Sequence, residues 1–242
     1  MGSATMHMHE ACFRNGEITR TARLHLPPDL GDSRSWPAVV LSTPASSIGE
    51  RAGAIYARKL AARGFVAITF EPSHRRTRAG AARGVDNPAT RVAALRSAVD
   101  HLASLPFVDD QRIAVLGVFA GGSDAVDAAL TEQRFKAVAT VAGTGPGRTR
   151  AVGARAASGS RHRHASARNL PLLQPLMVVV GGRHDRTGQY AAGRALYGLA
   201  RGPDRALVVI PGAGPDDLHH RDEHIDPAIE RLAPFLHFHL EP

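Results

Sequence analysis

The residues best placed for chemistry centre on Arg112 to Gly122, read Arg-Ile-Ala-Val-Leu-Gly-Val-Phe-Ala-Gly-Gly. The apolar run Ile113 to Gly117 predicts a buried strand, and Ser123 to Leu130 predicts the helix after it. A strand turning sharply into a helix, with Gly117 and Gly121 on either side of one residue, is the pattern of a nucleophile elbow. The middle residue is held at the top of the sheet in a sparsely populated backbone conformation, and in an enzyme it is Ser, Cys or Asp. Here it is Phe119, which has no nucleophilic atom. A bulky residue there costs about 1–3 kcal/mol of backbone strain, which favours a use for the ring. It either plugs a dead site or forms the floor of an apolar pocket.

Other side chains offer partial chemistry, each beside a plainer role. Ser123 lies one helical turn beyond Phe119 and is a displaced-nucleophile candidate, although a serine in that turn commonly bonds the helix backbone. Glu71 and His74 follow a strand's C-terminal end, where ligands of α/β sheets bind. They could handle protons or simply order their loop. His219 and His220 could bring a base toward the pocket or belong to a solvated loop entering a helix. The scattered histidines lack the spacing of a zinc site, so neither metal nor cofactor is expected.

The elements that position these residues follow from periodicity and turn chemistry. Ala11 to Leu26 reads as two strands around Asn15-Gly16, a strong hairpin signal. Ala38 to Leu41 is a short strand leading into Ser42-Thr43-Pro44-Ala45-Ser46-Ser47. Arg51 to Arg63 reads as a helix stopping at Gly64, and Phe65 to Phe70 as the next buried strand. Glu71 to Val85 is a polar loop, and Asn87-Pro88 opens a helix with Val92, Leu95, Val99 and Leu102 at helical spacing. After the elbow come strands at Phe135 to Val141, Leu176 to Val180 and Ala206 to Ile210, with a helix at Gly188 to Arg201. The last helix is expected to start with Asp226 as cap and Pro227 at its first position. Strands alternating with helices after a hairpin predict a mostly parallel sheet covered on both faces.

Length and composition bound the rest. A chain of 242 residues with 43% hydrophobic content is comfortable as one soluble domain, 1–242. Residues 1–10 read as a mobile N-terminus without the apolar core of a secretory signal. No apolar run approaches membrane-spanning length. Cys12 is the only cysteine, which excludes an internal disulfide and points to the cytoplasm. The net charge of +8 comes almost entirely from arginine. Six arginines, Arg148, Arg150, Arg155, Arg161, Arg163 and Arg168, fall with His162 and His164 in residues 143–169, which contain no acid and read as a mobile basic loop. No basic motif interleaved with aromatics is present, so a small molecule is the expected partner, with neither nucleic acid nor membrane.

The element order and its motifs resemble the α/β-hydrolase fold, in its dienelactone-hydrolase-like and peptidase-like esterase branch. The carrying residues are Gly117 to Gly122, Pro44 to Ser47, Glu71-Pro72-Ser73-His74, the Arg91 helix, Leu105 to Asp109, Gly181-Gly182-Arg183-His184-Asp185, and Ile210 to Gly214. The resemblance covers the chain except residues 143–169, where relatives carry a longer cap; here the cap is expected to be short or absent. It implies that Phe119 occupies the nucleophile position and Asp185 the acid position. It implies Pro215 where the histidine belongs, so two triad members are replaced. The oxyanion-hole donors are implied at Ala120 and in the loop Thr43, Ala45 and Ser46. Without serine and histidine, Asp185 has nothing to orient by the triad mechanism, and it either serves as an acid/base or pairs with Arg183 or Arg186.

Three readings follow. The first is an atypical, non-hydrolytic enzyme such as a cyclase, isomerase or lyase. It would act on a largely apolar small molecule bound over Phe119, in bacterial secondary metabolism, with Asp185, Glu71, His74, His219 or His220 moving protons. The second is a pseudo-hydrolase that binds a ligand or partner without chemistry. The third is an esterase or thioesterase with a displaced nucleophile. A homodimer is expected on general grounds only.

Overall fold

A computed structural model of the chain describes residues 7–31, 35–44, 46–70, 88–143, 171–182, 188–214 and 216–241. Glu71, His74, Ala45, Asp185, Pro215 and residues 144–169 of the basic stretch lie outside the described residues.

In chain order the elements are β1 His7–Asn15, β2 Ile18–Leu26, β3 Trp36–Ser42, α1 Ser47–Ala61, β4 Val66–Phe70, α2 Pro88–Ala103 and β5 Val108–Val118. There follow α3 Gly121–Ala129, β6 Phe135–Val141, β7 Leu176–Val180, α4 Gln189–Leu199, β8 Arg205–Val209, α5 Asp217–His220 and α6 Asp222–Leu240. The strands form one eight-stranded sheet in the order β1-β2-β4-β3-β5-β6-β7-β8. It is parallel from β4 to β8, with β1 and β2 added antiparallel at one edge.

Alternation along the central strands divides the core into two layers. Ala38, Val40, Ile113, Val115, Val138 and Val178 face α2, α3 and α4. Val39, Leu41, Ala114, Leu116, Ala139 and Val179 face α1 and α6. Every residue of β3 and β7 is buried, as expected for parallel strands covered on both sides. Among the described residues, no helix is long and apolar enough to cross a membrane.

Several boundaries differ from the sequence expectation for identifiable reasons. His7 to Glu10 are strand residues, not a mobile end, because the ladder with β2 runs unbroken from Asn15↔Ile18 back to His7↔Leu26. The hairpin loop is Gly16-Glu17, one place beyond the expected turn. Gly16 takes φ +61 and Glu17 does not, the type II′ pattern. α1 starts four residues early because the Ser46 hydroxyl accepts from the Gly49 N–H at 3.1 Å and caps the helix. It ends as expected: Phe65 N–H bonds the Leu60 carbonyl and Gly64 N–H the Ala61 carbonyl, a Schellman closure. α6 begins at Asp222, so Asp226 is not its cap and Pro227 lies inside it. Burial of Ile225, Ala228 and Ile229 extends the apolar face backwards, and Lys59 of α1 pairs with both Asp222 and Asp226 across that turn.

Candidate functional site

The elbow forms as the glycine spacing predicts. Phe119 sits at φ 54, one of two described non-glycine residues with positive φ. Its N–H donates to the Val141 carbonyl of β6 at 2.9 Å, and its carbonyl accepts from Gly122 N–H at 2.9 Å. The flanking glycines are sterically required. A Cβ on Gly121 would lie 2.1 Å from the Ser42 carbonyl oxygen, and one on Gly117 would lie 2.5 Å from both the Gly121 oxygen and the Gly122 Cα. The helix behind the elbow is tied to α2, since Arg91 Nε donates to the buried Asp124 carboxylate at 2.7 Å.

Phe119 is only 5% exposed and belongs to the core layer that includes Tyr56, Val141, Ala142 and Leu218. Its ring stacks face to face on the His219 imidazole, with centroids 3.2 Å apart and planes 9° from parallel. α5 delivers that histidine. Leu218 is fully buried, and its carbonyl accepts from the Tyr56 hydroxyl of α1 at 3.0 Å, fixing the short helix from beneath. His219 Nδ1 lies 3.2 Å from the Asp216 carbonyl oxygen and 3.7 Å from its carboxylate. Burial lowers the imidazole below its ordinary value, and the Asp216 carbonyl and carboxylate oppose that shift. The ring is therefore neutral at pH 7. An imidazole held through the Asp216 backbone carbonyl thus stands beside the elbow, but it meets a phenyl ring where catalysis would place a hydroxyl or thiol.

The remaining candidates separate. His220 is exposed and takes no part in this contact. The Ser123 hydroxyl donates to the Ala120 carbonyl at 3.1 Å, which makes it a helix-start bond. Ser46 does not serve as an oxyanion donor: its N–H donates to the Pro44 carbonyl at 2.8 Å and its hydroxyl caps α1. Ala120 immediately precedes α3 in the helical region, at φ −60 and ψ −23. The loop that continues from β8 is held by Asp217, whose carboxylate accepts from Gly214 N–H at 2.7 Å and pairs with Arg221 at 3.0 Å. The Gly214 N–H bond, with Arg221 beside it, holds the Asp217 carboxyl below its usual range. Among the described residues no group of three or more His, Cys, Asp and Glu could hold a metal.

Beside the elbow, on the α1 face of the sheet, lies a small pocket of about 30 Å³ lined by Thr21, Arg23, Thr43, Glu50, Thr69 and Phe70. Of these, sequence reasoning singled out only Thr43. The others come from β2, β4 and α1, and no motif links them. Asp216 was missed too, although Asp and His three apart on one helical turn is a readable spacing.

No protein-family model matches the chain. It is 30% identical over 179 residues to the uncharacterized protein YcjY of Escherichia coli, an alignment covering 74% of this chain and 55% of that one. It is 35% identical over 139 residues to the uncharacterized protein PA2218 of Pseudomonas aeruginosa, covering 57% and 37%. In these alignments the chain spans about half the length of YcjY, and less of PA2218. The crystal structure of PA2218 superposes with a TM-score of 0.77 at 24% identity, over 98% of this chain and 95% of that chain. A dienelactone hydrolase from Anabaena variabilis superposes with a TM-score of 0.70 at 16% identity, over 98% and 99%. With its mostly parallel eight-stranded sheet, its helices on both faces and its sharp turn at Phe119, the chain has the α/β-hydrolase fold.

Proposed function

We propose that this chain is a pseudo-hydrolase: it binds a small polar molecule beside a closed elbow and forms no acyl-enzyme. The observation that carries this reading is the burial of Phe119 against His219, which fills the volume an ester carbonyl would need. An apolar substrate lying over Phe119 would have to displace that stack. The Thr43 pocket is the alternative entry. It offers three threonine hydroxyls, and its Arg23 and Glu50 side chains have no ion-pair partner among the described residues. A volume of about 30 Å³ accepts one or two water-sized groups, so the pocket suits the charged head of a zwitterion such as an amino acid. The carboxylate would meet Arg23 and the ammonium Glu50.

One observation favours a second reading, a proton-transfer enzyme. His219 is a partly buried imidazole whose Nδ1 is held by the Asp216 backbone carbonyl at 3.2 Å, which leaves Nε2 as the nitrogen a general base would use.

Both readings are tested with p-nitrophenyl esters on wild type, Phe119→Ser and Phe119→Ser/His219→Ala. Wild type is expected to be inert. Phe119→Ser places a hydroxyl beside an imidazole already backed by Asp216 and should gain about 10²-fold over wild type, lost again in the double variant. Ester hydrolysis by wild type would overturn the closed-elbow reading. For the ligand, calorimetry against free amino acids, their N-acetyl forms and their methyl esters reports whether both charges matter. Binding that ignores Arg23→Ala and Glu50→Gln would remove the pocket from the proposal.

A further inference from the structure

Among the described residues β1 is an edge strand with one side unpaired. It runs nine residues without a proline or a bulge, two of the usual devices that stop an edge from pairing. Because the hairpin loop holds two residues, Asn15 and Ile18 form a hydrogen-bonded pair, and such pairs recur at Phe13↔Arg20 and Ala11↔Ala22. The backbone N–H and C=O groups of Met8, Glu10, Cys12 and Arg14 therefore point outward, to the open edge. The side chains of the same four residues are exposed, while Phe13 faces the core.

Only a few antiparallel registers bring outward-pointing residues of two copies opposite each other. A twofold axis at Glu10 sets two carboxylates face to face. An axis at Ala11 puts Glu10 against a thiol, and one at Phe13 puts Arg14 there. An axis at Cys12 sets Glu10 opposite the partner's Arg14 twice over, with Cys12 opposite the partner's Cys12. Cross-strand pairs of opposite charge stabilise a ladder, and like charges destabilise it. At the other sheet edge, β8 has five residues, and self-pairing about Leu207 would set Arg205 against a valine, with no such complement.

We propose that this chain forms a homodimer by antiparallel pairing of β1 with the β1 of a second copy, the twofold axis passing at Cys12, so that one sheet runs through both protomers. Residues opposite one another in a hydrogen-bonded pair have Cα atoms about 5.5 Å apart, within disulfide reach, so Cys12 reports the register directly. This inference is independent of the ligand reading above.

The test combines sedimentation velocity with diamide oxidation, in which two thiols lose two protons and two electrons to the reagent and become a disulfide. With one cysteine per chain, a covalent dimer identifies Cys12 unambiguously. Wild type should be dimeric at micromolar concentration and cross-link rapidly. Glu10→Arg should weaken association about tenfold, and Glu10→Arg/Arg14→Glu should return it to near the wild-type value. A monomer at all concentrations, a dimer that does not cross-link through Cys12, or a charge swap that fails to rescue would each overturn the proposal.

Discussion

Replacing Phe119 by alanine and by glycine should give an inverted order of stabilities. In regular elements glycine is worse than alanine by about 0.5–1 kcal/mol. At residue 119 both changes delete the same buried ring and the same stack on His219, at a cost of about 3–5 kcal/mol for a fully packed phenylalanine. The two variants then differ only in a Cβ held at φ 54. Alanine keeps about 1–2 kcal/mol of left-handed strain that glycine lacks. Against this, glycine has the larger unfolded-state entropy, worth about 0.4–1 kcal/mol. The balance favours Phe119→Gly by roughly 0.5–1 kcal/mol, from the difference of those two terms. Urea unfolding at equal slope measures it, with Ala128→Gly in α3 as the control that should lose stability in the ordinary way. If Phe119→Ala proves the more stable variant, the elbow has relaxed and the strain argument fails.

Two further predictions concern the sheet around the site. His25 on β2 is 8% exposed, its Nε2 has no hydrogen-bond partner among the described residues, and burial, then Arg23 and Arg58, lower it from 6.5 to about 4. The unfolded chain takes up that proton first, so the fold loses up to about 2–3 kcal/mol as pH falls from 6.5 to 4 and none above that window. His25→Asn should flatten that part of the stability profile, and an unchanged slope would assign it to other groups. Gly121→Ala should destabilise by at least about 3 kcal/mol, because the new methyl meets the β3 backbone, which cannot yield. Gly198→Ala, in α4 with open space around it, should instead gain about 0.5–1 kcal/mol. Thermal unfolding of the pair checks both signs.

The parts of the fold that sequence reasoning located well are those decided within a few residues. β6 and β7 match their expected limits because each is a short, largely apolar run bounded by polar residues or loops. Pro88 starts α2 as expected, since a missing N–H costs nothing in a first turn. The start of β5 was missed because Asp109, Asp110 and Gln111 are strand residues on an exposed end, where no apolar pattern marks them. The start of α6 was missed because Lys59, far away in sequence, holds its first turns. In the site, the elbow was legible from its glycines. His219 was legible as a base that could reach the pocket, but its stack on Phe119 was not, because α5 is held by a hydrogen bond between residues 162 positions apart, Tyr56 and Leu218.

The position of β3 in the sheet also bears on how the chain folds during synthesis. β3 is among the first strands made, yet it lies between β4 and β5. β5 begins at Val108, roughly forty residues after β4 ends at Phe70, a delay of about 2–8 s on the ribosome. For that interval one side of Trp36–Ser42, all of which ends buried, has no strand beside it. The nascent chain is then a half-sheet with a sticky flank, and holdase chaperones that shield extended apolar segments should engage it there. Slower synthesis lengthens the exposure, so yield should respond to chaperone supply more than to growth temperature.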